Sequence, residues 1–331
     1  MLPCIHKQFG KITEYHKYKM AKTIPKFPKF RPFTIKDSDW YYEYYISQGI
    51  NPYADLHPEN MIAWLNMKND LMISDLNDTL IIKYTNLLND NKFNIIPIAN
   101  SISDKVIEDI MKYLKQHNLP LEIREIPSKI CDKLDKNKWI IEDDRDSYEY
   151  ILDTRQQCLM NGKYFSDQRR RIKLFEKEHA KDKIEILYYK KFNNQIKKAF
   201  LKHIKTMPMN NNPFSAANNI NEPIAIKNNM KYASQFGKKA LIIKINGKIA
   251  SLGLVSYLDN DTAGGNHLKV DYSIKYIFYF TVYQLSKILE KDNIGEINIE
   301  QDLGIEGLRS FKEHLPPSRF LEKKTIKPLS L

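Results

Sequence analysis

The passage EINIEQDLGIEGLRSFKEH, Glu296 to His314, gathers Glu300, Gln301, Asp302, Glu306, Arg309 and Lys312 around two glycines. Acids, an amide and cations this close together suit the holding of an ammonium group, the binding of an anion and the movement of a proton. Arg309 and Lys312 fall three apart, on one face of any helix, where they can grip terminal phosphates or a phosphodiester together. The ordinary alternative is a helix cap at Asp302 and a solvated i,i+3 pair between Glu306 and Arg309.

The periodicity around these residues says what positions them. Ile297 and Ile299 alternate with Glu296, Asn298 and Glu300, the pattern of a strand with one wet face. After Gly304 the period changes: Ile305, Leu308, Phe311 and Leu315 recur at spacings of three and four, which predicts an amphipathic helix from near Asp302 to before Pro316 and Pro317. Polar groups therefore crowd the C-terminal end of a strand, where α/β architectures place ligands and a helix N-terminus offers N–H groups to an anion or a developing oxyanion.

A chain of 331 residues predicts about two domains, and 42% hydrophobic residues can build real cores. Eleven glycines against 20 tyrosines and 15 phenylalanines favour packed α/β or α+β structure over disorder. Cys4, Cys131 and Cys158 are far apart and in no CxxC arrangement, so they read as reduced structural thiols in a cytosolic protein, with no zinc site, disulfide framework or catalytic cysteine. The most apolar run, Tyr276 to Leu285, is about half the length of a membrane helix, and a soluble chain is expected. The net charge of +12 is unevenly spread: residues 1–35 carry +7, residues 36–150 carry −8 and residues 151–331 carry +13. The basic half predicts an anionic partner, either RNA phosphate or an acidic membrane surface; a Lys- and Asn-rich genome is the competing explanation of the same charge.

Along the chain, residues 1–29 read as a basic flexible arm leading into an N-terminal domain over 30–145. There Asp37 is placed to cap a helix, DLHPENMIAWLN offers a second helix with Pro58 in its first turn, two strands form a hairpin around Asn77 and Asp78, and SDKVIEDIMKYLKQHN is a helix with an apolar stripe from Val106 to Leu114. A second set of strands and helices fills 146–331, with DQRRRIKLFEKEHA helical, DDRDSYEY an entry strand rather than a calcium loop, an Asn- and Pro-rich loop over PMNNNPFSAANNINEP, and an Asn246-Gly247 hairpin. Tyr41, Tyr42, Tyr44 and Tyr45 are read as core residues with hydroxyls at the rim rather than as a base-stacking platform. His267 and His314 are read as packing or surface residues rather than general bases.

Two segments, YILDTRQQCLMNGKYFSDQRRRIKLFEKEH and INIEQDLGIEGLRSFKEHLPPSRFLEKK, resemble the C-terminal domain of the phosphatidylglycerol lysyltransferases and its free-standing relatives. The first carries Asp153, Gly162-Lys163, Arg169 to Arg171 and Phe175 to Glu178; the second is similar to the family's EQDLG.EGLR..K passage through Glu300, Gln301, Asp302, Gly304, Glu306, Gly307, Arg309 and Lys312. The resemblance runs from Phe30 to about Lys324. It implies an α/β fold with mixed sheets, arranged as two tandem acyltransferase (GNAT)-like domains with the site in the second, and transfer of an amino acid from aminoacyl-tRNA to the hydroxyl of an anionic lipid such as phosphatidylglycerol, or to another hydroxyl or amine acceptor.

An aminoacyl ester is already activated, so its transfer needs orientation, oxyanion stabilisation and the movement of one proton, without a covalent nucleophile. The resemblance makes Asp153, Asp302 and Arg309 the expected catalytic residues, with Lys163, Arg169, Arg171, Gln301, Glu306 and Lys312 binding substrate. It implies no metal and no cofactor besides aminoacyl-tRNA as co-substrate, a cytoplasmic location and peripheral contact with the inner membrane face. Two readings compete within the same fold: an acyl-CoA-dependent N-acyltransferase, and an inactive RNA- or membrane-binding module. Where relatives show a glutamate and an Arg-Gly pair this chain has Lys269 and Tyr276-Ile277, so the glycine-rich loop that a coenzyme-A pyrophosphate needs is missing.

Overall fold

Alternating apolar residues set the strands of this chain, and returning segments decide which sheet each joins. The computed structural model describes residues 24–65, 70–86, 92–206 and 222–329. The chain divides into two units, one running to Tyr148 and regaining the chain from Leu321, the other Glu149–Phe320.

In the first unit β1 (Arg31–Pro32), β2 (Met72–Leu76), β3 (Thr79–Asn86) and β4 (Lys92–Ile98) form an antiparallel sheet in that order. Asn77 and Asp78 join β2 to β3 with φ of 51° and 65°, as a two-residue hairpin turn demands. Helix α1 (Ser38–Ser47) buries Tyr41, Tyr44 and Tyr45, while Asp37 makes no side-chain cap for it. Its carboxylate instead takes two bonds from Arg31 and one each from Thr34 N and Trp40 Nε1, because a charged fork outcompetes a lone amide. Helical structure in DLHPENMIAWLN is limited to Pro58–Asn60, followed by a wide π-type turn over Met61–Leu65. Helix α2 (Asp104–Gln116) buries the expected stripe, and Ser103 caps it by accepting from Val106 N.

β5 (Ile123–Pro127) and β6 (Trp139–Asp143) do not pair with each other; β14 (Lys323–Pro328) lies between them, antiparallel to both. The last strand, assigned from sequence to the second domain, therefore completes a sheet of the first unit. Of the expected basic arm, residues 1–23 lie outside the described residues, and Pro25 to Phe27 are held to β2 by backbone bonds with Asp75 and an ion pair from Lys26.

The second unit is a seven-stranded sheet in the order β13-β7-β12-β11-β10-β9-β8. It comprises β7 (Glu149–Asp153), β8 (Ile184–Tyr189), β9 (Lys239–Ile245), β10 (Lys248–Tyr257), β11 (Thr262–Val270), β12 (Glu296–Gln301) and β13 (Arg319–Leu321). On one face α3 (Thr154–Leu159), α4 (Ser166–Glu178) and α7 (Ile277–Lys291) build a core from residues such as Ile172, Phe175, Phe280, Leu285 and Ile297. On the other, α5 (Asn194–Thr206) and α6 (Glu222–Tyr232) pack Ile196, Phe200, Ile226 and Met230 against Ile242, Leu252 and Leu254. The expected Asn- and Pro-rich loop lies outside the described residues up to 221, and its last two residues already belong to α6.

Candidate functional site

β11 and β12 run parallel, and their ladder covers only Thr262↔Glu296, Ala263↔Ile297 and Gly264↔Asn298. Both strands continue beyond these pairs, so a split opens in the sheet at their carboxyl ends, the position at which open α/β sheets bind ligands. On its other side β12 pairs with β7, and the register slips between Asn298↔Ile151 and Gln301↔Glu149, so one extra residue bulges from β12. Glu300 sits in the bulge with φ of 62°, steadied by the Asn298 side chain accepting from its N–H at 2.8 Å. Leu303 and Gly304 follow at 59° and 72°. Left-handed backbone at non-glycine residues costs on the order of 1–3 kcal/mol each and persists where surrounding structure over-determines it.

What the bulge produces is an acceptor site for Lys312. Helix α8 (Glu306–Glu313) returns along the strand end, and Lys312 Nζ donates to the carbonyls of Ile299 and Gln301. Its side chain is buried with the ammonium 5.7 Å from the Tyr150 ring centre. Burial pushes the Lys312 ammonium down to about 8, with Glu300, Asp302 and Glu149 opposing the shift. Three positions back on α8, Arg309 donates through Nε and Nη2 to Asp302, both at 2.9 Å. Asp302 is fully buried and also accepts from Tyr150 Oη at 2.5 Å and Gly304 N at 2.9 Å. Burial raises its carboxyl, but the bonds from Arg309, Tyr150 and Gly304 outweigh that and hold it below the usual carboxylate range.

A second polar layer lines the split. Glu149, fully buried, accepts from Asn298 Nδ2 at 2.5 Å. Asn266 is the extra residue where the β10–β11 register slips between Leu254↔His267 and Val255↔Gly265. It reaches Glu300 at 3.4 Å and accepts from the fully buried Lys238 ammonium at 2.9 Å, which also donates to Ser256 Oγ at 2.7 Å. His267 is buried and meets Asn229 Nδ2 through Nε2 at 2.7 Å; burial, Lys238 and Lys269 drive its pKa well down. Among the described residues no group of three or more His, Cys, Asp and Glu is placed to hold a metal ion, and no helix is long and apolar enough to cross a membrane.

The structure thus brings Asp302, Arg309, Lys312 and the Gln301 carbonyl together, as their closeness in sequence suggests, but with different bonding partners from those expected. α8 begins at Glu306, not near Asp302, and Ile305 occupies its cap position. Asp302 is therefore no helix cap; its carboxylate is consumed by Arg309 and Tyr150, and it positions Arg309 rather than standing open to an ammonium. Glu306 is exposed in the first turn of α8. Asp153 is not part of the cluster. It pairs with Glu296 at the opposite end of β12, roughly 15–20 Å away at 3.3 Å per residue, and caps α3 by accepting from Gln156 N at 2.7 Å. Arg169 binds the carbonyls of Met160 and Gly162 and so ties down the α3–α4 loop. Arg171 is bonded to Asp167 at 2.6 Å with its guanidinium 4.7 Å from the Tyr279 ring, and Lys163 is exposed in the loop.

Sequence reasoning missed Glu149, Tyr150, Asn266 and Lys238 as members of the site. Glu149 and Tyr150 lie in DDRDSYEY, which read only as an entry strand, and Asn266 sits beside the two glycines of TAGGNH, a cue for a bulge or a close approach.

The chain belongs to the phosphatidylglycerol lysyltransferase C-terminal family, which it matches over residues 50–324. No curated protein matches it in sequence. Among solved structures it is similar to a conserved protein of unknown function from Bacteroides thetaiotaomicron VPI-5482, at 21% identity and a TM-score of 0.74 over 90% of this chain and 99% of that one. It is also similar to L-PGS from Bacillus licheniformis (14% identity, TM-score 0.50, 81% of this chain and 87% of that one). FemX shares 9% identity at a TM-score of 0.51 over 91% of this chain and 97% of its own. The fold is that of tandem acyltransferase (GNAT)-like proteins, and the family is one of acyltransferase-like transferases.

Proposed function

We propose that this family member moves an aminoacyl group from an aminoacyl-tRNA to a hydroxyl of an anionic phospholipid headgroup. The observation that carries this reading is the buried Lys312, held by two bulge carbonyls beside the Asp302–Arg309 pair where β11 and β12 part.

The acceptor oxygen attacks the ester carbonyl carbon, the bond to the tRNA ribose oxygen breaks, and the proton of the acceptor ends on that ribose oxygen. Two N–H groups of Lys312 are engaged by carbonyls. Its neutral form therefore presents a lone pair, and a group near pH 8 exchanges protons readily at physiological pH. Arg309, oriented by its two bonds to Asp302, keeps about a third of its side chain at the surface and supplies a guanidinium edge for a donor or lipid phosphate. Glu300, half-buried in the split, is the carboxylate for the α-ammonium of the donor in place of Asp153 and Asp302.

The test mixes the protein with tRNA charged with labelled amino acids and vesicles containing phosphatidylglycerol. Label should enter the lipid phase, and Lys312→Met should abolish its entry without lowering the melting temperature by more than a few degrees. Label confined to tRNA, with no faster deacylation than in buffer, refutes the reading.

A further inference from the structure

The surface of the second unit carries a basic and apolar corner that the transfer chemistry does not use. Among the described residues seven large hydrophobic side chains are exposed, and three of them, Leu159, Tyr164 and Leu174, fall on α3, α4 and the loop between them. Tyr164 is 90% exposed. This is not a loose loop: Met160 and Phe165 anchor it in the core, and Arg169 binds the carbonyls of Met160 and Gly162. On α4, Ile172 and Phe175 face the core while Arg170, Lys173, Leu174 and Lys177 share the opposite, exposed stripe. From Thr154 to Glu178, the end of α4, the sequence holds seven basic residues and three acids, and one of the acids, Asp167, is bound by Arg170 and Arg171.

We infer that the α3–α4 corner is a docking face for an anionic phospholipid surface, resting on the lipid-acceptor reading above. Tyrosine and leucine side chains enter the boundary between headgroups and acyl chains, while Arg155, Lys163, Lys173 and Lys177 meet the headgroup charge. Exposed leucines distinguish this face from one built for RNA, since an aliphatic side chain gains nothing against phosphate and gains burial in a bilayer. A chain of ring contacts links the corner to α8. Arg171 stacks on Tyr279 of α7, and the neighbouring Phe278 packs against Phe311 of α8, the helix that carries Lys312.

Co-sedimentation of the full chain with vesicles of phosphatidylcholine alone, or with phosphatidylglycerol added, tests this without charged tRNA. The protein should pellet with the anionic vesicles only. Arg155→Gln with Lys163→Gln should lower the partition coefficient roughly 25-fold, at about fivefold per charge near the surface. Leu159→Ser with Tyr164→Ser should also release the protein, at an unchanged melting temperature. Wild type that ignores anionic vesicles, variants that bind as wild type does, or uncharged tRNA captured through these residues in place of vesicles each overturns the docking face. Vesicle binding without label transfer leaves the face and withdraws the reaction; transfer to a detergent-dispersed lipid without vesicle binding does the reverse.

Discussion

The two ends of β12 carry the same chemistry in different settings. At its start Glu296 accepts two bonds from Arg319, at 2.8 and 2.6 Å; just past its end Asp302 accepts two from Arg309, both at 2.9 Å. Both are carboxylate–guanidinium forks, yet Glu296 and Arg319 stand partly in water while Asp302 is wholly buried. Solvent screens the first pair, so its net contribution falls within about 0–1 kcal/mol. In the second, desolvation makes each partner depend on the other, and the β12 bulge adds a buried ammonium beside it. A fork by itself marks nothing; a fork that orders the wall around a buried, titratable lysine at a split in the sheet marks a site.

The sharpest way to break this contrast is to remove one carboxylate at each end. Asp302→Ala removes the buried carboxylate that Arg309 and Tyr150 both bond, and chemical denaturation should show a loss of about 3–5 kcal/mol. Glu296→Ala should cost less than about 1 kcal/mol in the same assay. Equal losses would mean that burial does not separate the two ends.

Lys312 gives a pH signature that the other end lacks. Its folded pKa of about 8 lies below the unfolded value of 10.5. Between those values the unfolded chain binds more protons, so stability should rise with pH from about 8 to 10.5, by at most about 3 kcal/mol. Lys312→Met should flatten that rise. If the neutral amine moves the proton, the transfer rate of the wild type should also climb through about pH 8. A rate independent of pH from 7 to 9 would remove Lys312 from proton transfer. Asp302 gives a slope of the same sign in acid: its lowered carboxyl contributes stability that is fully present above the unfolded value of 3.8 and is lost as the pH falls through the folded value.

Smaller effects are expected from the residues that the structure takes away from the cluster. Arg169→Ala frees two loop carbonyls and should cost about 1–2 kcal/mol, read as a lower melting temperature. Asp153→Ala removes the α3 cap and should cost about 1 kcal/mol while the transfer rate holds. A collapse of activity at unchanged stability in Asp153→Ala would return it to the catalytic set.

Much of the fold was legible in local pattern. The hairpins at Asn77-Asp78 and Asn246-Gly247, the stripe of α2 and the strand-to-helix passage through β12 and α8 follow from turn chemistry and periodicity, which act between near neighbours. The gathering of Arg309 and Lys312 beside Asp302 was legible for the same reason, since all three lie within eleven residues. The sequence by itself therefore determined the elements, the family resemblance and the stretch that bears the chemistry.

Tertiary structure alone decided what each polar group does. Whether Asp302 caps a helix or anchors Arg309 depends on Tyr150, which lies 152 residues away. Whether Lys312 grips phosphate at the surface or sits under two carbonyls depends on a bulge created by register against β7. Asp153, alike in type to Asp302, was separated from it because antiparallel pairing of β7 with β12 sends their far ends in opposite directions. The final strand joined the first unit because β5 and β6 leave a place for it between them. Burial and strand register are long-range properties, and they set protonation and partners at this site while local spacing supplies only the residue types.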